Sequence, residues 1–476
     1  MKQKIFTDLS KVSKIYFVGI KGVAMTGLAL MCLDLGKEVM GSDVEENFIT
    51  QKALDRGNIK VFSGFSKEHL SWNPDLVVFG MSFSDENVEV LFSKQKNIPI
   101  ILESELRGIF MKNKYGITVS GVHGKTTTTA LLAYIFTKAD LDPTFLIGTG
   151  EVPNLGRNAR AGTGEYVIIE GDEYRKSFSD PTPKFLDLPA KVVITTSVEW
   201  EHVDLYQDDK EIQESFRKLV KTIPSDGYWV ACIDWPLIHE LVLEKNISSV
   251  ETYGMCRQAM PTGRQANWQP SNILSTSEGM QFDVFHLGKY FETFHIKMSG
   301  KHNVQNALAC IIVAYREGIS IEVMKDALKN FSSSARRFEI REHKGILFID
   351  DYGHHPTEIR VTLEAVKERF PGKEIWCVFQ PHTATRTFHL KELFAQSFGA
   401  ADHVALTDIF TSARERADLI SSKELLEEMI RYHPDVFYTG GIEETVKYLF
   451  PKMKAGDILV TMGAGDVYKV RDMLIS

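Results

Sequence analysis

The stretch KYGITVSGVHGKTTTTALLAYIFTKA, from Lys114 to Ala139, decides the fold that we expect. A short run of β-branched and aromatic residues precedes a turn bounded by glycines, and a long helical pattern follows, which together predict a strand, a phosphate-binding loop and a helix. Glycine lets backbone N–H groups approach phosphate oxygens without a Cβ in the way, and the N-terminus of the next helix attracts anions. The candidate nucleotide-binding residues of this turn are Gly121, His123, Gly124, Lys125, Thr126 and Thr127.

Two residues of the turn carry specific chemistry. Lys125 stands where phosphate-binding loops place the lysine that reaches the β/γ-phosphates, and Thr126 stands where they place the hydroxyl that holds Mg²⁺. The strict pattern has a further glycine where this chain has Val119. The alternative is an ordinary strand-to-helix turn that contains Gly-Lys-Thr. The strand before the turn and the helix after it favour the phosphate loop.

The composition is typical of a globular enzyme with several hydrophobic cores. The chain has 476 residues, a length that corresponds to about three domains. No apolar run approaches the roughly 18 residues of a membrane span, and the N-terminus lacks the apolar core and cleavage site of a secretory leader. We therefore expect a cytoplasmic protein without a membrane partner. A net charge of −8 argues against a nucleic-acid partner.

The residues Lys14 to Gly27, KIYFVGIKGVAMTG, predict another strand, glycine turn and helix, which would open a βαβ unit. If the dinucleotide-binding motif GxGxxG started at Gly19, Lys21 would occupy the position of its second glycine. This spacing speaks against NAD, and therefore against an NAD-dependent oxidoreductase. The better interpretation is a different nucleotide diphosphate lying on Gly19 and Gly22. A packed turn without a ligand is the remaining alternative.

The next predicted strand, Lys37 to Met40, leads into Gly41-Ser42-Asp43. In nucleotide-binding folds an acidic residue at the end of the second strand often holds a ribose hydroxyl. Ser42 and Asp43 are therefore candidate ligands for the same nucleotide.

Acidic residues and a histidine follow two later strands. The strand Glu165 to Glu170 delivers Glu170 to the same sheet edge as the phosphate loop, within reach of a Mg²⁺ ion on Thr126. The alternative for Glu170 is a solvent-exposed strand end. His202 follows the strand Lys191 to Thr196 and is either a metal ligand or a surface residue.

Further along the chain, two amides precede a domain boundary. Asn303 and Asn306 are three residues apart on a predicted helix and share one face, so they either pair with a purine edge or cap the helix. The polar stretch Asn330 to Arg337 predicts a boundary. After it, strands alternate with helices, and the strand Ile346 to Asp351 again ends in carboxylates. This pattern predicts a second Rossmann-like α/β unit.

Four stretches together resemble the Mur ligase family in order and separation: GVHGKTTTT, a strand ending in Glu170, GKHNVQNA and RRF…DDYGHHPTE. The stretches GIKGVAMTGLA…GSD, FQPHTATRT and MGAGDVYKV extend the resemblance over most of the chain. The resemblance implies an α/β fold with three domains. These are an N-terminal Rossmann-like domain for a UDP-sugar at 1–112, a central P-loop-type ATPase with a mostly parallel sheet and a small antiparallel flank at 113–331, and a C-terminal Rossmann-like domain at 332–476.

The resemblance also implies an ATP- and Mg²⁺-dependent ligase that joins the carboxylate of UDP-N-acetylmuramate to an amine in peptidoglycan precursor synthesis. A carboxylate is a poor electrophile, so it first attacks the γ-phosphate to form an acyl phosphate, which the amine then attacks. Position within the family motifs implies the catalytic residues Lys125, Glu170, His202, Arg337, His354 and Arg386. It adds Asn303, Asn306, Arg337 and Asp351 to the phosphate loop as ATP ligands. It implies Thr126, Glu170 and His202 as metal ligands, and Gly19, Gly22, Ser42, Asp43, His202 and Arg386 as substrate ligands.

The motifs leave the amine substrate open. In family members that add L-alanine, the loop that corresponds to PHTATRT here usually has the sequence PHRYTRT. This chain has Thr383 at the position of the first arginine. Glu173-Tyr174 and Pro183-Lys184-Phe185 resemble members that attach a preformed tripeptide. DDYGHHPTE and MGAGDVYKV favour a single amino acid, L-alanine or another small one. We expect a monomer or a homodimer.

Overall fold

The computed structural model describes residues 8–46, 48–81, 86–177, 179–202, 205–244, 249–255, 265–334, 336–410 and 419–476. Three separate sheets with intervening helices follow one another along the chain. This is the three-domain α/β architecture that the sequence predicts, although the exact boundaries stay a prediction. None of the helices in the described ranges is both long enough and apolar enough to cross a bilayer.

The N-terminal sheet contains five parallel strands in which the first along the chain is central. Their bounds are β1 (Lys14–Val18), β2 (Glu38–Asp43), β3 (Lys60–Ser63), β4 (Leu76–Phe79) and β5 (Ile100–Leu102). Their order is β3-β2-β1-β4-β5. The strand β2 is longer than predicted, so Ser42 and Asp43 lie inside it. The helices are α1 (Val23–Asp34), α2 (Gln51–Arg56), α3 (Val88–Gln95) and α4 (Glu103–Met111).

The central sheet has a parallel core and an antiparallel flank, as predicted. Its strands are β6 (Tyr115–Ser120), β7 (Thr144–Leu146), β8 (Ala159–Arg160), β9 (Tyr166–Glu170), β10 (Val192–Thr195), β11 (Tyr228–Cys232), β12 (Val250–Tyr253), β13 (Trp268–Thr276), β14 (Gly279–His286) and β15 (Lys289–Ile296). Their order is β15-β14-β13-β12-β11-β10-β6-β9-β7-β8. The strands β13, β14 and β15 pair antiparallel and form the flank, and β8 pairs antiparallel with β7.

The helix after the phosphate loop is buried along most of its length. The central helices are α5 (Lys125–Lys138), α6 (Asp209–Lys221), α7 (Pro236–Leu243), α8 (Lys301–Arg316) and α9 (Ile321–Asn330). Every residue of α5 from Thr126 to Phe136 is buried, because α5 packs between the sheet and the helices α8 and α9. This packing fixes the position of the loop at its N-terminus.

The C-terminal sheet has one antiparallel edge strand on an otherwise parallel sheet. Its strands are β16 (Glu339–His343), β17 (Ile346–Asp351), β18 (Ile375–Phe379), β19 (His403–Thr407), β20 (Val436–Gly440) and β21 (Ile458–Met462), in the order β16-β17-β21-β18-β19-β20. The helices are α10 (Pro356–Arg369), α11 (Ala384–His389), α12 (Lys391–Ala395), α13 (Ser422–Met429), α14 (Ile442–Leu449) and α15 (Tyr468–Ile475).

Strand pairing brings three functional segments to one edge of the central sheet. The strand β6 pairs in parallel with β9 on one side and with β10 on the other, so that Val119 lies opposite Glu170 and Ser120 opposite Thr195. Parallel neighbours end at the same edge. The phosphate loop after β6, Glu170 at the end of β9 and the residues that follow β10 therefore meet there.

Candidate active site

The phosphate loop folds against the segment that follows β10. Gly121 and Gly124 have φ angles of 131° and 79°, a region that favours glycine. A Cβ on Gly121 would overlap the Thr196 hydroxyl, and a Cβ on Gly124 would overlap the Asn306 amide. The Val122 N–H donates to the carbonyl oxygen of Ser197 at 3.0 Å. Both glycines are therefore required by close packing.

The ammonium group of Lys125 is held by a buried carboxylate that we did not predict as a site residue. Lys125 Nζ lies 2.8 Å from Glu173 Oε2 and 3.0 Å from Glu173 Oε1. Glu173 is only 1% exposed, and its Oε1 is also 2.9 Å from His202 Nε2. Burial would lower the pKa of Lys125, but Glu173 outweighs burial and raises it. The lysine is charged, and a phosphate group would compete with Glu173 for it.

The predicted metal ligands Thr126 and Glu170 are in contact, whereas the third, His202, pairs with Glu173, which also holds Lys125. Thr126 Oγ1 donates to Glu170 Oε1 at 3.1 Å, and the Gly148 N–H donates to Glu170 Oε2 at 2.7 Å. Burial raises the pKa of Glu170, while Lys125 opposes this shift. A hydroxyl and a carboxylate are the oxygen ligands that Mg²⁺ prefers, so the donor set fits that ion.

The C-terminal domain contributes the predicted catalytic groups from the opposite side. The Arg337 guanidinium lies over the Tyr352 ring at 5.1 Å and is 3.9 Å from Glu358 Oε1. Arg386 Nε donates to Glu201 Oε1 at 2.8 Å, next to His202. The predicted residues Arg337 and Arg386 are thus each engaged by an acid.

His354 is neutral at physiological pH. Burial lowers its pKa to about 4. Its Nδ1 lies 3.1 Å from the carbonyl oxygen of Tyr352. Because a carbonyl oxygen can only accept, the ring proton is assigned to Nδ1, which leaves Nε2 as a proton acceptor.

Most of these side chains, although not that of Arg386, line one cavity of about 330 Å³ between the three domains. Helices α1 and α4 line it from the N-terminal domain, the phosphate loop and the strand ends from the central domain, and the segment before α10 from the C-terminal domain. The predicted residues among its walls are His123, Gly124, Lys125, Thr126, Glu170, His202, Arg337 and His354. A shared cavity of this kind can hold several reactants in contact.

A second cavity, of about 140 Å³, lies behind the phosphate loop. Asn306 Nδ2 donates to Asn303 Oδ1 at 3.3 Å, so the two predicted amides form one unit. Asp351 accepts N–H groups from Gly353 at 2.8 Å and Phe338 at 2.9 Å, and burial raises its pKa to about 6. The predicted nucleotide ligands that line this cavity are His123, Gly124, Thr127, Asn303, Asn306, Arg337 and Asp351.

His123 links the phosphate loop to the C-terminal domain through two acids that the sequence did not single out. Its Nε2 contacts Glu199, and its Nδ1 is 3.2 Å from Glu358 Oε1. Burial would lower the pKa of His123, but the hydrogen bonds to Glu199 and Glu358 outweigh burial and raise it to about 10. A charged histidine therefore joins an acid of the central domain to an acid on α10.

The N-terminal glycine turn is engaged mainly with its own domain. The Gly19 N–H donates to the carbonyl oxygen of Ser42 at 2.8 Å, and the Lys21 N–H donates to Asp43 Oδ2 at 2.7 Å. Ser42 Oγ donates to the buried Glu89 at 2.5 Å. Gly22 precedes α1, whose first residues line the large cavity. The structure therefore places Ser42 and Asp43 behind the turn and not in the cavity wall.

Models of three consecutive domains match the chain. They are described as the catalytic domain of the Mur ligase family at residues 14–115, the Mur ligase middle domain at 119–314 and the Mur ligase glutamate ligase domain at 336–465.

Similar proteins and structures span the whole chain. UDP-N-acetylmuramate–L-alanine ligases from Caldanaerobacter subterraneus and Clostridium kluyveri are 37% and 38% identical, over 98% of this chain and 98% and 99% of theirs. The crystal structure of a UDP-N-acetylmuramate-alanine ligase from Thermotoga maritima aligns with a TM-score of 0.80 at 26% identity, covering 97% of this chain and 98% of that one. A murein peptide ligase from Psychrobacter arcticus aligns with a TM-score of 0.72 at 26% identity, covering 97% of each chain. By these matches the chain belongs to the Mur ligase family.

Proposed function

We propose that this protein is an ATP-dependent ligase that joins the carboxylate of UDP-N-acetylmuramate to the amine of L-alanine in peptidoglycan precursor synthesis. The observation that carries the proposal is the 330 Å³ cavity in which Lys125 and Glu170 of the central domain face Arg337 and His354 of the C-terminal domain. The full-length similarity to UDP-N-acetylmuramate–L-alanine ligases supports the same substrates. The reaction takes place in the cytoplasm, where ATP and UDP-sugars are present.

The first half-reaction needs charge neutralisation more than covalent chemistry. The sugar carboxylate attacks the γ-phosphate, ADP leaves, and an acyl phosphate remains. Lys125 and Arg337 would hold the phosphate oxygens. Thr126, Glu170 and His202 would hold Mg²⁺, which neutralises phosphate charge when bound. Glu173 must release Lys125 as the nucleotide arrives.

In the second half-reaction the amine attacks the acyl carbon, phosphate leaves, and an amide bond forms. An ammonium group has no lone pair, so it must first lose a proton. That proton passes to solvent. The neutral His354, whose lowered pKa makes it a weak base, can accept a hydrogen bond from the uncharged amine at Nε2 because its Nδ1 donates to Tyr352. Arg386 and Glu201 flank His202, and we assign them to the side where the amino acid enters.

A second candidate is the attachment of a preformed tripeptide to the same sugar nucleotide. Two observations favour it: Thr383 in place of arginine, and the structural similarity to a murein peptide ligase. An NAD-dependent oxidoreductase is a third candidate from another class. It would need the turn at Gly19, where the N–H of Lys21 is already bonded to Asp43.

A coupled ADP-release assay tests these candidates. UDP-N-acetylmuramate is held saturating while L-alanine, L-serine, glycine and the tripeptide are supplied one at a time. We expect turnover with L-alanine that requires the sugar nucleotide. Turnover that is unchanged without the sugar nucleotide would overturn the ligase, and turnover with the tripeptide alone would select the second candidate. Reduction of NAD by a 2-hydroxy acid would select the third.

A further inference from the structure

An ionic cluster that the proposed mechanism does not use lies where the N-terminal domain meets the central domain. Glu103 and Arg107 are one turn apart on α4 and are 3% and 6% exposed. Glu103 Oε2 is 2.7 Å from Arg107 Nε, and Glu103 Oε1 is 2.9 Å from Lys184 Nζ. Lys184 Nζ is also 3.2 Å from Asp172 Oδ2. One acid of the N-terminal domain thus holds a cation from its own helix and a cation from the central domain.

Arg107 also reaches the predicted metal site. Its Nη1 donates to the main-chain carbonyl oxygen of Glu170 at 3.2 Å, and the carboxylate of Glu170 receives the Thr126 hydroxyl. The guanidinium thus lies between two acceptors. It pairs by charge with the Glu103 carboxylate, without hydrogen-bond geometry at Nε, and it donates to the Glu170 carbonyl through Nη1. The N-terminal domain therefore makes a direct hydrogen bond to the backbone of a predicted metal ligand.

The charges of this cluster are costly to bury. Burial alone would raise the pKa of Glu103, but Arg107 and Lys184 outweigh it and keep the pKa below its ordinary value. Ion pairing only partly offsets the desolvation of buried charges, and apolar packing could join two domains without that cost. The cluster lies beside the large cavity, since Arg107, Asp172 and Lys184 line it together with Glu170. This location fits a role in the site better than simple adhesion between domains.

The same two domains are joined by a second arginine that has no connection to the cavity. Arg157 of the central domain donates to Asp34 of α1 at 3.1 and 2.8 Å. It lines a different cleft, which shares no wall residue with the large cavity. Arg157 therefore offers a matched control for a contact that only holds domains together.

We propose that Arg107 and Lys184 are positioning residues through which α4 of the N-terminal domain holds the end of β9 and the acidic residues after it, so that Glu170 can bind Mg²⁺. The inference rests on the proposed function for the identity of the nucleotide and the metal. It adds that the domain for the UDP-sugar sets the metal affinity of a site in the central domain.

The test measures binding of a non-hydrolysable ATP analogue to the full-length protein by calorimetry at increasing Mg²⁺ concentration, with Tm recorded for each variant. For Arg107→Gln we expect the Mg²⁺ concentration at half-maximal binding to rise about five- to tenfold. For Arg157→Gln it stays within about twofold of the wild type, although both variants lose an interdomain contact and lower Tm. Arg157→Gln loses the ion pair with Asp34, and Arg107→Gln loses the hydrogen bond to the Glu170 carbonyl. Lys184→Gln should raise the Mg²⁺ concentration at half-maximal binding by an intermediate amount. It frees Asp172 but leaves the hydrogen bond from Arg107 to the Glu170 carbonyl in place.

The variant Arg107→Lys separates charge from geometry. A lysine can pair with Glu103, but one ammonium cannot span to the Glu170 carbonyl as the fork does. We therefore expect Tm to recover while the higher Mg²⁺ requirement persists. Equal Mg²⁺ requirements for Arg107→Gln and Arg157→Gln would overturn this inference and leave the proposed function standing. A wild type that binds no magnesium nucleotide would overturn both.

Discussion

The N-terminal glycine turn closes on its own domain, whereas the central glycine loop opens onto a cavity that three domains share. Both connect a buried parallel strand to a helix, and both contain a lysine. Lys21 Nζ donates to the backbone carbonyls of Val44 at 2.7 Å and Glu46 at 2.8 Å. Lys125 Nζ also donates to backbone carbonyls, those of Gly121 and Val122, but in addition it meets the carboxylate of Glu173 beside the predicted metal ligands. The same pattern of strand, glycine turn and helix can therefore place its lysine in one of two ways. The lysine can stabilise the turn, or it can face a cavity where a ligand could bind it.

The difference comes from the elements that surround each turn. The first turn is backed by β2, whose Asp43 binds its backbone. The second is flanked by the end of β9, which carries Glu170, and by the segment after β10, which carries Glu199. It also faces α10 of the next domain. A lysine in such a turn can bind a ligand only where its own partner is a side chain that the ligand can displace. For Lys125 that partner is Glu173. Five substitutions, grouped in four predictions, test this contrast from the largest expected effect to the smallest.

The largest effect should come from exchanging the two lysines for alanine. Lys125→Ala removes a charge that acts on the transferred phosphate, and we expect kcat to fall roughly 10³-fold. Lys21→Ala removes hydrogen bonds that fasten residues 44–46, so it should lower Tm while kcat stays within about tenfold of the wild type. Steady-state ADP release and thermal denaturation measure both. An equal loss of kcat in Lys125→Ala and Lys21→Ala would contradict the claim that only the central turn acts on the transferred phosphate.

Next in size is Glu170→Gln, which keeps the shape of the side chain but removes the negative charge. We expect kcat to fall on the order of 100-fold, with a partial recovery at high Mg²⁺. The amide oxygen can accept from only one of the two donors, the Thr126 hydroxyl and the Gly148 N–H, so a modest fall in Tm should accompany the loss of kcat. The measurement is ADP release against Mg²⁺ concentration. A normal Mg²⁺ dependence would show that Glu170 does not bind the metal.

A smaller effect is expected for Asp43→Asn in the first turn. The Asp43 carboxylate accepts hydrogen bonds from the backbone N–H groups of Lys21 and Val44. Replacing this charged acceptor with a neutral amide should weaken both hydrogen bonds and loosen the turn. We predict that KM for UDP-N-acetylmuramate rises about tenfold while KM for ATP is unchanged. A change in KM for ATP would contradict the assignment of the two turns to different ligands.

The smallest effect concerns pH. The pKa of His123 is raised in the folded protein to about 10, from an ordinary value of 6.5. A raised pKa stabilises the folded state fully below pH 6.5, and this contribution declines as the pH rises towards 10. The Tm advantage of the wild type over His123→Gln should therefore shrink between pH 6.5 and 10. A constant difference across that range would show that His123 is not held charged by Glu199 and Glu358.

Much of the fold could be predicted because its signals are local. The strand, turn and helix from Lys114 to Ala139 follow from β-branched residues, two glycines and a helical pattern. The position of Glu170 follows from the rule that parallel strands end at one sheet edge, and the structure places it against Thr126. The edge strands β3 and β20 were not predicted. Both contain Val-Phe, but both are short and their residues are at most partly buried.

The groups that hold the site together could not be predicted in the same way. Glu173, Glu199 and Glu358 acquire their importance from partners on other strands or in another domain, such as Lys125 and His123. No spacing in the sequence encodes such a pair. The only signal was that acids cluster after predicted strands. Ser42 and Asp43 were found at the expected strand end, but tertiary contacts direct them to the back of the turn.

Hydrogen exchange of the wild-type protein tests the contrast between the two turns most directly. Amide exchange is measured with Mg²⁺ and a non-hydrolysable ATP analogue, and separately with UDP-N-acetylmuramate. We predict that the nucleotide analogue protects residues 121–127 and leaves 19–22 unchanged, and that the sugar nucleotide protects 19–22. Protection of 19–22 by the ATP analogue or by NAD, with 121–127 unaffected, would contradict the account.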